Sequence, residues 1–193
     1  MKILVILAHP DINNGSNANK VILDALIQQQ DIKVKDLHTL YPDSKIDVLA
    51  EQSALLESDL IVFQHPLHWY SVPSVLKEWM DSVLLYGFAY GEGGNKLLGK
   101  KLLISTTIGG PEESYRPGGH NSFPMSDFLK PLQQTALFCG MDFINPILSY
   151  GMVYIPQGNA SKNDIQRRAE CHAKRLIETM NELKGSQDLE RFA

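Results

Sequence analysis

Short apolar runs alternate with amphipathic segments along the whole chain. The apolar runs predict five strands, at residues 3–8, 33–37, 60–63, 101–107 and 142–154, the last interrupted at Pro146. Between them, apolar residues recur three or four positions apart, as in helices with one buried face. This spacing predicts helices at residues 17–30, 48–57, 74–85, 124–138 and 163–183. Strands that alternate with helices indicate an α/β protein with a doubly wound parallel sheet.

The polarity of each strand predicts its place in the sheet. Residues 3–8 are uniformly apolar, which is typical of a central strand covered by helices on both faces. Residues 33–37 include two lysines, so this strand lies nearer an edge. Two orders are compatible with right-handed crossovers, the flavodoxin type 2-1-3-4-5 and the Rossmann type 3-2-1-4-5-6. Five strands favour the flavodoxin type.

Length and composition narrow the class of protein. The chain has 193 residues, which predicts one domain, placed at 1–184 and followed by a polar tail at 185–193. The net charge of −4 argues against a nucleic-acid partner, which requires a basic face. No apolar run approaches the roughly 18 residues needed to cross a bilayer, and the first run is too short for a signal peptide. We therefore expect a cytoplasmic protein.

Three loops are expected to form one site. In the favoured order, strands 1, 3 and 4 are neighbours, and ligands bind outside the carboxyl ends of such strands. The loop after strand 1 contains His9 and leads through Ser16, Asn17, Ala18 and Asn19 into a helix, with Ser16 as the predicted N-cap. Free amides at the positive end of a helix favour an anion such as phosphate. The alternative is that Ser16 and Asn17 only cap the helix.

The same loop lacks the usual sequences for larger phosphate groups. Neither the Walker A sequence nor G-x-G-x-x-G follows strand 1, and the glycines at 91, 93 and 94 do not open a helix. The loop is therefore interpreted as a monophosphate site.

The other two loops predict a flat ligand. The strand at 60–63 is expected to break at His65-Pro66, and Trp69 and Tyr70 follow before Pro73. Two successive aromatic residues between prolines cannot both point into the core, so at least one should face the site. In the loop at 106–110, Gly109 and Gly110 allow close approach of backbone to a ligand. A monophosphate joined to a flat, carbonyl-bearing ring system describes FMN.

Several segments together resemble one family. They are Ala8-His-Pro10, Ser16-Asn-Ala-Asn19, Leu40-Tyr-Pro-Asp43, Gln64-His-Pro-Leu-His-Trp-Tyr-Ser71, Gly87-Phe-Ala-Tyr-Gly91, Thr106 to Gly110, Tyr115-Arg116, Pro124-Met-Ser-Asp127 and Pro131-Leu-Gln133. The chain resembles the flavodoxin-like NAD(P)H:quinone oxidoreductases of the DT-diaphorase type. Within them it is most similar to the ancillary quinone reductases of the Kef glutathione-gated potassium-efflux systems.

The resemblance implies a set of site residues. Flavin phosphate contacts are implied at His9, Ser16, Asn17, Ala18 and Asn19, and ring contacts at Leu67, His68, Trp69, Tyr70, Thr107, Ile108, Gly109 and Gly110. Tyr115 and His120 match the Tyr and His that lie near the flavin carbonyl in the diaphorases, and they are the implied catalytic residues. Two departures are Ile108, inserted into a loop that often reads Thr-Thr-Gly-Gly, and His68, where Gln is common.

The resemblance also implies the reaction and the partners. NAD(P)H would reduce bound FMN, with FAD the alternative flavin, and a quinone would then accept two electrons in the same cavity. A homodimer is implied, with the 87–99 loop and the helix of Trp79 as candidate interface parts. The protein would also act as a peripheral partner of a potassium-efflux antiporter at the inner face of the membrane.

Other functions remain open from the sequence. The chain would alternatively be a regulatory flavin-binding subunit of such an antiporter with little or no catalysis of its own. A one-electron carrier, an azoreductase or a nitroreductase would use the same fold. A metal site at His9, His65 and His68 is not expected, because no Cys or carboxylate completes a set of ligands.

Overall fold

The protein folds around a five-stranded sheet. The computed structural model describes residues 1–156 and 160–191, with side chains up to residue 186. All strand pairs are parallel and their order is β2-β1-β3-β4-β5, so the predicted α/β fold and flavodoxin-type order are confirmed. The strands are β1 (Ile3–Leu7), β2 (Ile32–Asp36), β3 (Leu60–Pro66), β4 (Lys101–Thr107) and β5 (Asp142–Ser149).

Within the described part of the chain, six helices cover the two faces of the sheet. They are α1 (Asn19–Leu26), α2 (Leu37–Leu40), α3 (Val48–Leu56), α4 (Ser74–Val83), α5 (Met125–Phe138) and α6 (Lys162–Arg191), and a 3-10 turn spans Glu112–Ser114. Helix α1 is shorter than predicted at both ends, and the one-turn helix α2 was not predicted. Helix α6 continues past 183, where the sequence predicted its end, into the segment interpreted as a tail.

Successive residues of each strand point to opposite faces, which separates two cores. Ile61 and Phe63 of β3 pack on the face covered by α3, α4 and α5. Leu60 and Val62 pack on the face covered by α1 and α6. The alternation continues to the carboxyl end of the strand, and it decides which face receives each polar side chain there.

Two strand ends differ from the prediction. Strand β3 runs through His65 to Pro66, instead of breaking before it, because Pro66 still pairs with Thr107. Strand β5 ends at Ser149, and residues 150–154 form a loop. Strand β5 runs unbroken through Pro146, where the sequence predicted an interruption, but its register with β4 shifts between Ile144 and Ile147. Proline has no amide to donate to a ladder and is found at such irregularities.

A buried carboxylate joins β2, α3 and α4. Glu51 is fully buried, and its Oε1 accepts hydrogen bonds of 2.5 Å from Lys35 Nζ and from Tyr41 Oη. Its Oε2 accepts a bond of 2.9 Å from Trp79 Nε1. Burial, and then the hydrogen bond to Glu51, raise the pKa of Tyr41 above its ordinary value. We call these four residues the Glu51 cluster.

Across residues 1–156 and 160–191, none of the helices is long and apolar enough to span a bilayer.

Candidate functional site

A cleft of about 370 Å³ opens at the carboxyl ends of β1, β3 and β4. The three loops predicted to meet do meet there, because their strands are neighbours in the sheet. The loop after β5 also contributes, which the sequence did not indicate because residues 150–154 were interpreted as strand. The lining residues are His9, Gly15, Ser16, Asn17, Ala18, Asn19, Pro66, Leu67, His68, Thr107, Gly109, Met152, Val153 and Tyr154.

Two larger clefts, of about 670 and 650 Å³, lie along β5 and α6. None of the predicted site residues lines either of them. In the first, Arg168 donates to Gly151 O and Arg175 to Leu148 O, so these guanidinium groups already have partners. The chemistry at the strand ends therefore identifies the smaller cleft as the candidate site.

The start of α1 forms the floor of the cleft. The helix begins at Asn19 with Ala18 as its N-cap, so the predicted N-cap role of Ser16 is wrong. Ser16 Oγ instead accepts a bond of 3.1 Å from Lys20 N–H. The amides of Asn17, Ala18 and Asn19 have no acceptor among the described residues. Unpaired amides at the positive end of a helix favour an anion in this position.

His9 adds a donor beside these amides. Its ring is buried, and Nδ1 accepts a hydrogen bond of 3.1 Å from Asp11 N–H. The proton of the neutral ring is therefore on Nε2. Burial, and then the nearby His68, lower the pKa of His9 below its ordinary value. The neutral ring with Nε2–H is a hydrogen-bond donor to a phosphate oxygen.

A strained turn forms one wall of the cleft. His68 and Ser71 exchange backbone hydrogen bonds of 3.0 and 2.9 Å, which makes Trp69 and Tyr70 the centre of a two-residue turn. Their φ angles are +46° and +62°. Turns of this kind favour Asn or Gly, and bulky residues there cost about 1–3 kcal/mol each. Their amides have no acceptor among the described residues, so this strained turn leaves two donors unpaired beside the cleft.

The two aromatic side chains of the turn lie in different surroundings. Trp69 is 93% exposed. Tyr70 Oη donates to Asn121 Oδ1 at 3.2 Å, and its ring packs on Phe128. Neither side chain enters the core, and neither lines the cleft itself. Leu67 and His68 supply the part of this wall that does line it.

The loop after β4 gives one correction. Ile108 is fully buried in the core, its N–H donates to Ser149 O at 2.8 Å, and its carbonyl accepts from Met152 N–H. The structure therefore does not bring the Ile108 side chain to the cleft, because this side chain points into the core. Gly109 lines the cleft, and its amide has no acceptor among the described residues. At Gly110, a Cβ would lie 3.2 Å from the hydroxyl of Tyr115, so glycine allows Tyr115 to pack there.

Tyr115 and His120 lie beside the cleft and do not line it. The ring centroid of Tyr115 is 5.7 Å from that of Tyr150 and 6.2 Å from that of Phe128. Burial, and then Tyr70, raise the pKa of Tyr115. His120 is exposed. Asn121 N–H donates to Ser114 O at 2.9 Å, so the segment of His120 folds back beside Tyr115.

Two further features concern charge and metals. His65 is buried, its Nδ1 lies 2.9 Å from Pro66 O, and burial lowers its pKa to about 4. Nothing in residues 1–156 and 160–191 groups three or more His, Cys, Asp or Glu side chains as a metal site would. The unpaired amides at the start of α1 and the Nε2–H of His9 are hydrogen-bond donors in this cleft.

The sequence is similar to several known proteins. A family described as having a flavodoxin-like fold matches residues 1–176. The uncharacterized NAD(P)H oxidoreductase YrkL of Bacillus subtilis is 43% identical over 88% of this chain and 94% of its own. The glutathione-regulated potassium-efflux system ancillary protein KefG of Yersinia enterocolitica is 47% identical over 77% of this chain and 80% of its own. These findings confirm the predicted resemblance.

Two solved structures share the fold. General stress protein 14 of Treponema denticola, solved in complex with FMN, has a TM-score of 0.82 at 35% identity over 92% of this chain and 99% of its own. An NADPH-quinone reductase from P. pentosaceus has a TM-score of 0.76 at 26% identity over 91% of this chain and 97% of its own.

Proposed function

The chain belongs to the flavodoxin-like fold family, and from this we propose that it is an FMN-dependent NAD(P)H:quinone oxidoreductase. The observation that carries the proposal is the set of unpaired amides at the start of α1, beside the Nε2–H of His9. These donors fit one phosphate group, which favours FMN over FAD. The fit continues at Gly109 and at the turn of Trp69 and Tyr70, whose unpaired amides suit the nitrogen and carbonyl atoms of a flat ring.

Each part of the cleft has a separate task. The amides of Asn17, Ala18 and Asn19 bind the phosphate, and Ser16 and His9 complete its contacts. Leu67, His68, Thr107, Gly109 and Gly110 would hold the ring of the flavin. FMN bound in this cleft would accept hydride from NAD(P)H and pass it to a second substrate.

Three residues beside the cleft would stabilise negative charge on a flavin bound there. Backbone amides at fixed positions stabilise negative charge without reorganising, and Gly109, Trp69 and Tyr70 offer such amides. Tyr115 and His120 would hold a proton near the flavin carbonyl, Tyr115 as a neutral hydroxyl because its pKa is raised. The rings of Tyr70 and Phe123 both pack on the ring of Phe128.

The names of the similar proteins support the two substrates. One relative is named as an NAD(P)H oxidoreductase and one solved structure as an NADPH-quinone reductase. The solved structure that contains FMN covers 92% of this chain. A quinone as the second substrate is the finer part of the proposal.

Turnover under air with NADH or NADPH and a quinone tests the proposal. The FMN-loaded protein should oxidise the nucleotide much faster with the quinone than with the oxygen of air as the sole acceptor, and the double variant Tyr115→Phe, His120→Gln should lower kcat with the quinone at least tenfold while FMN stays bound. The variant His38→Gln, at an exposed site on α2, is the control for mutation itself. Unchanged kcat in the double variant would remove these two residues from the mechanism.

We also propose a homodimer through the face around the 87–99 loop. Tyr86, Leu98 and Phe138 are 64%, 69% and 64% exposed on this face. The side chain of Trp79 is buried within the Glu51 cluster, so α4 would contribute other residues. Tyr86→Lys with Phe138→Lys should convert a dimer to a monomer in sedimentation, and an unchanged mass would place the interface elsewhere.

A second candidate function is regulation of a potassium-efflux antiporter. The observation that favours it is 47% identity with KefG of Yersinia enterocolitica. In this case the protein docks on the cytoplasmic side of the antiporter and binds flavin with little turnover. Flavin binding without quinone reduction, together with potassium efflux that depends on the protein, would favour this function over the enzyme.

A further inference from the structure

A line of buried polar side chains crosses the face of the sheet under α1 and α6. We propose that it positions the hydroxyl of Thr107 as a hydrogen-bond donor into the cleft, with His172 as the central positioning residue. The inference rests on the proposed function, since the ligand that receives this hydrogen bond is the flavin. We call the line the buried relay, and its members are Thr107, Asn19, Gln64, Ser105, His172, Ser149 and Arg175.

The half of the buried relay next to the cleft consists of amides and hydroxyls. Asn19 Nδ2 donates to Thr107 Oγ1 at 2.9 Å, and Gln64 Nε2 donates to Asn19 Oδ1 at 2.8 Å. Ser105 Oγ donates to Gln64 Oε1 at 2.6 Å. Asn19, Gln64 and Ser105 are each 3% exposed or less, so water does not compete for these bonds.

The half away from the cleft is held by His172. Its Nε2 lies 2.7 Å from Ser105 Oγ and its Nδ1 lies 2.8 Å from Ser149 Oγ. Arg175 Nη2 donates to Ser149 Oγ at 2.7 Å. His172 is fully buried, and burial, followed by Arg175, lowers its pKa to about 4. The ring is therefore neutral at pH 7 and has one donor and one acceptor.

The single proton of Ser105 fixes the direction of the bonds. It is donated to Gln64 Oε1, so Ser105 accepts from His172 Nε2–H. The neutral ring then accepts at Nδ1 from the hydroxyl of Ser149, whose oxygen also accepts from Arg175. The amides of Gln64 and Asn19 continue in the same sense. All donors consequently point from α6 toward the cleft.

Thr107 is the end of this sequence of donors. Its oxygen accepts from Asn19, and its own proton has no acceptor among the described residues. Thr107 lines the cleft, so the remaining partner of this proton is a ligand atom. Aligned hydrogen bonds polarise one another, and the positive end of this line faces the ligand. Such a donor binds a ligand more tightly when negative charge develops on it.

The position of the buried relay follows from the pleat. Gln64, Ser105 and Ser149 occupy the same face as Val62, Leu103 and Ile147 because they lie two residues further along their strands. The neighbouring residues on this face are apolar, so burial under α6 does not by itself require polar side chains at these positions. Packing alone therefore does not explain why these three positions are polar.

The test compares a variant that removes one oxygen atom from the buried relay with a variant that keeps this oxygen. Ser105→Ala removes the oxygen between His172 and Gln64, and Ser105→Thr keeps it. Leu103→Val, on the same strand and face, perturbs packing without touching the buried relay. Dissociation constants of FMN are measured for the oxidised and, without air, the reduced form.

Ser105→Ala should weaken binding of reduced FMN about tenfold more than binding of oxidised FMN. For a two-electron couple, tenfold corresponds to about 30 mV in potential. Ser105→Thr and Leu103→Val should leave the ratio of the two constants as in the wild type. Equal weakening of both forms by Ser105→Ala, or none, would overturn the inference.

A second measurement needs no flavin. In the ¹⁵N NMR spectrum of the ligand-free protein at pH 7, the ring of His172 should show Nε2 protonated and Nδ1 not. Ser105→Ala removes the acceptor of Nε2–H and should weaken this preference, and a wild-type ring protonated on Nδ1 would overturn the assigned direction. If the wild type bound no FMN, the proposed function would fail, while the spectrum would still test the buried relay.

Discussion

The Glu51 cluster and the buried relay are two buried polar networks on opposite faces of one sheet. The hydrogen bonds of the Glu51 cluster all end on one carboxylate, which accepts from Lys35, Tyr41 and Trp79. The buried relay is open, since it runs from Arg175 on the surface to Thr107 in the cleft. The first network contains a buried charge with its counter-charge, and the second is neutral except at its surface end.

This difference suggests a rule: a polar network that lies wholly in the core acts on stability, and one that ends in a cleft also acts on a ligand. A buried carboxylate needs its donors, and removing either side leaves a charge without a partner. The Glu51 cluster therefore acts on stability and has no member in the cleft. The buried relay loses less stability when one neutral hydroxyl is removed, but its effect reaches a ligand. The following predictions separate these roles.

The largest expected effect is on stability, from the Glu51 cluster. Glu51→Ala should lower the free energy of unfolding by about 3–5 kcal/mol, because Lys35 is left as a partly buried charge without its carboxylate. Urea unfolding measures it. Glu57→Ala is the matched control, since Glu57 pairs with Lys33 at 3.7 Å with both side chains more than half exposed. The control should change stability by less than about 1 kcal/mol. A Glu51→Ala protein that is as stable as the control would contradict the structural role.

The buried relay should make the protein sensitive to acid. The pKa of His172 is lowered to about 4 in the folded state, so the unfolded chain binds more protons between pH 6.5 and pH 4. Stability contributed by neutral His172 is therefore complete above pH 6.5 and is lost as pH falls to 4, by about 3 kcal/mol. His65 adds to the same loss, for the same reason.

Unfolding free energies measured from pH 7 to pH 4 check this prediction. In His172→Asn the slope against pH should be smaller than in the wild type, with the share of His65 remaining. Leu176→Ala, one turn further along α6, should be less stable at every pH with the wild-type slope. Identical slopes for His172→Asn and the wild type would mean that His172 is not buried as a neutral ring.

The smallest expected effect is on the alkaline side, from the Glu51 cluster. The pKa of Tyr41 is raised in the folded state, so above pH 10 the unfolded chain loses the tyrosine proton first. Stability is therefore present below pH 10 and falls as pH rises above it. Tyr41→Phe should cost about 1–2 kcal/mol at pH 7 and should reduce the fall above pH 10. If the stability of Tyr41→Phe fell as steeply above pH 10 as that of the wild type, other groups would be responsible for the loss of stability.

The fold could be predicted from the sequence because its strands carry strong patterns. Lys101–Thr107 was predicted with both ends correct, since Lys101 and the glycines after Ile108 bound an apolar run. The end of β3 was not, because Pro66 was interpreted as a break, whereas an end position in the ladder tolerates it. Helix ends were less accurate, as at Ser16, whose hydroxyl bonds Lys20 N–H without capping α1.

The candidate site could be predicted only in part. Loops at neighbouring strand ends follow from topology, and the amides of residues 17–19 follow from a helix start. The turn at Trp69 and Tyr70 could not be predicted, because neither residue favours a positive φ. The side of the backbone on which Ile108 lies could not be predicted either. The sequence gives a weak indication of the buried relay at Gln64, a polar residue that directly follows an apolar run.

The most direct test of the central claim compares the affinities of FMN and riboflavin, which differ only in the phosphate. Fluorescence titration of the ligand-free protein should give roughly hundredfold tighter binding of FMN, because charge-assisted bonds to the amides at the start of α1 and to His9 require the phosphate. Equal affinities, or no binding of either flavin, would contradict a flavin site in this cleft.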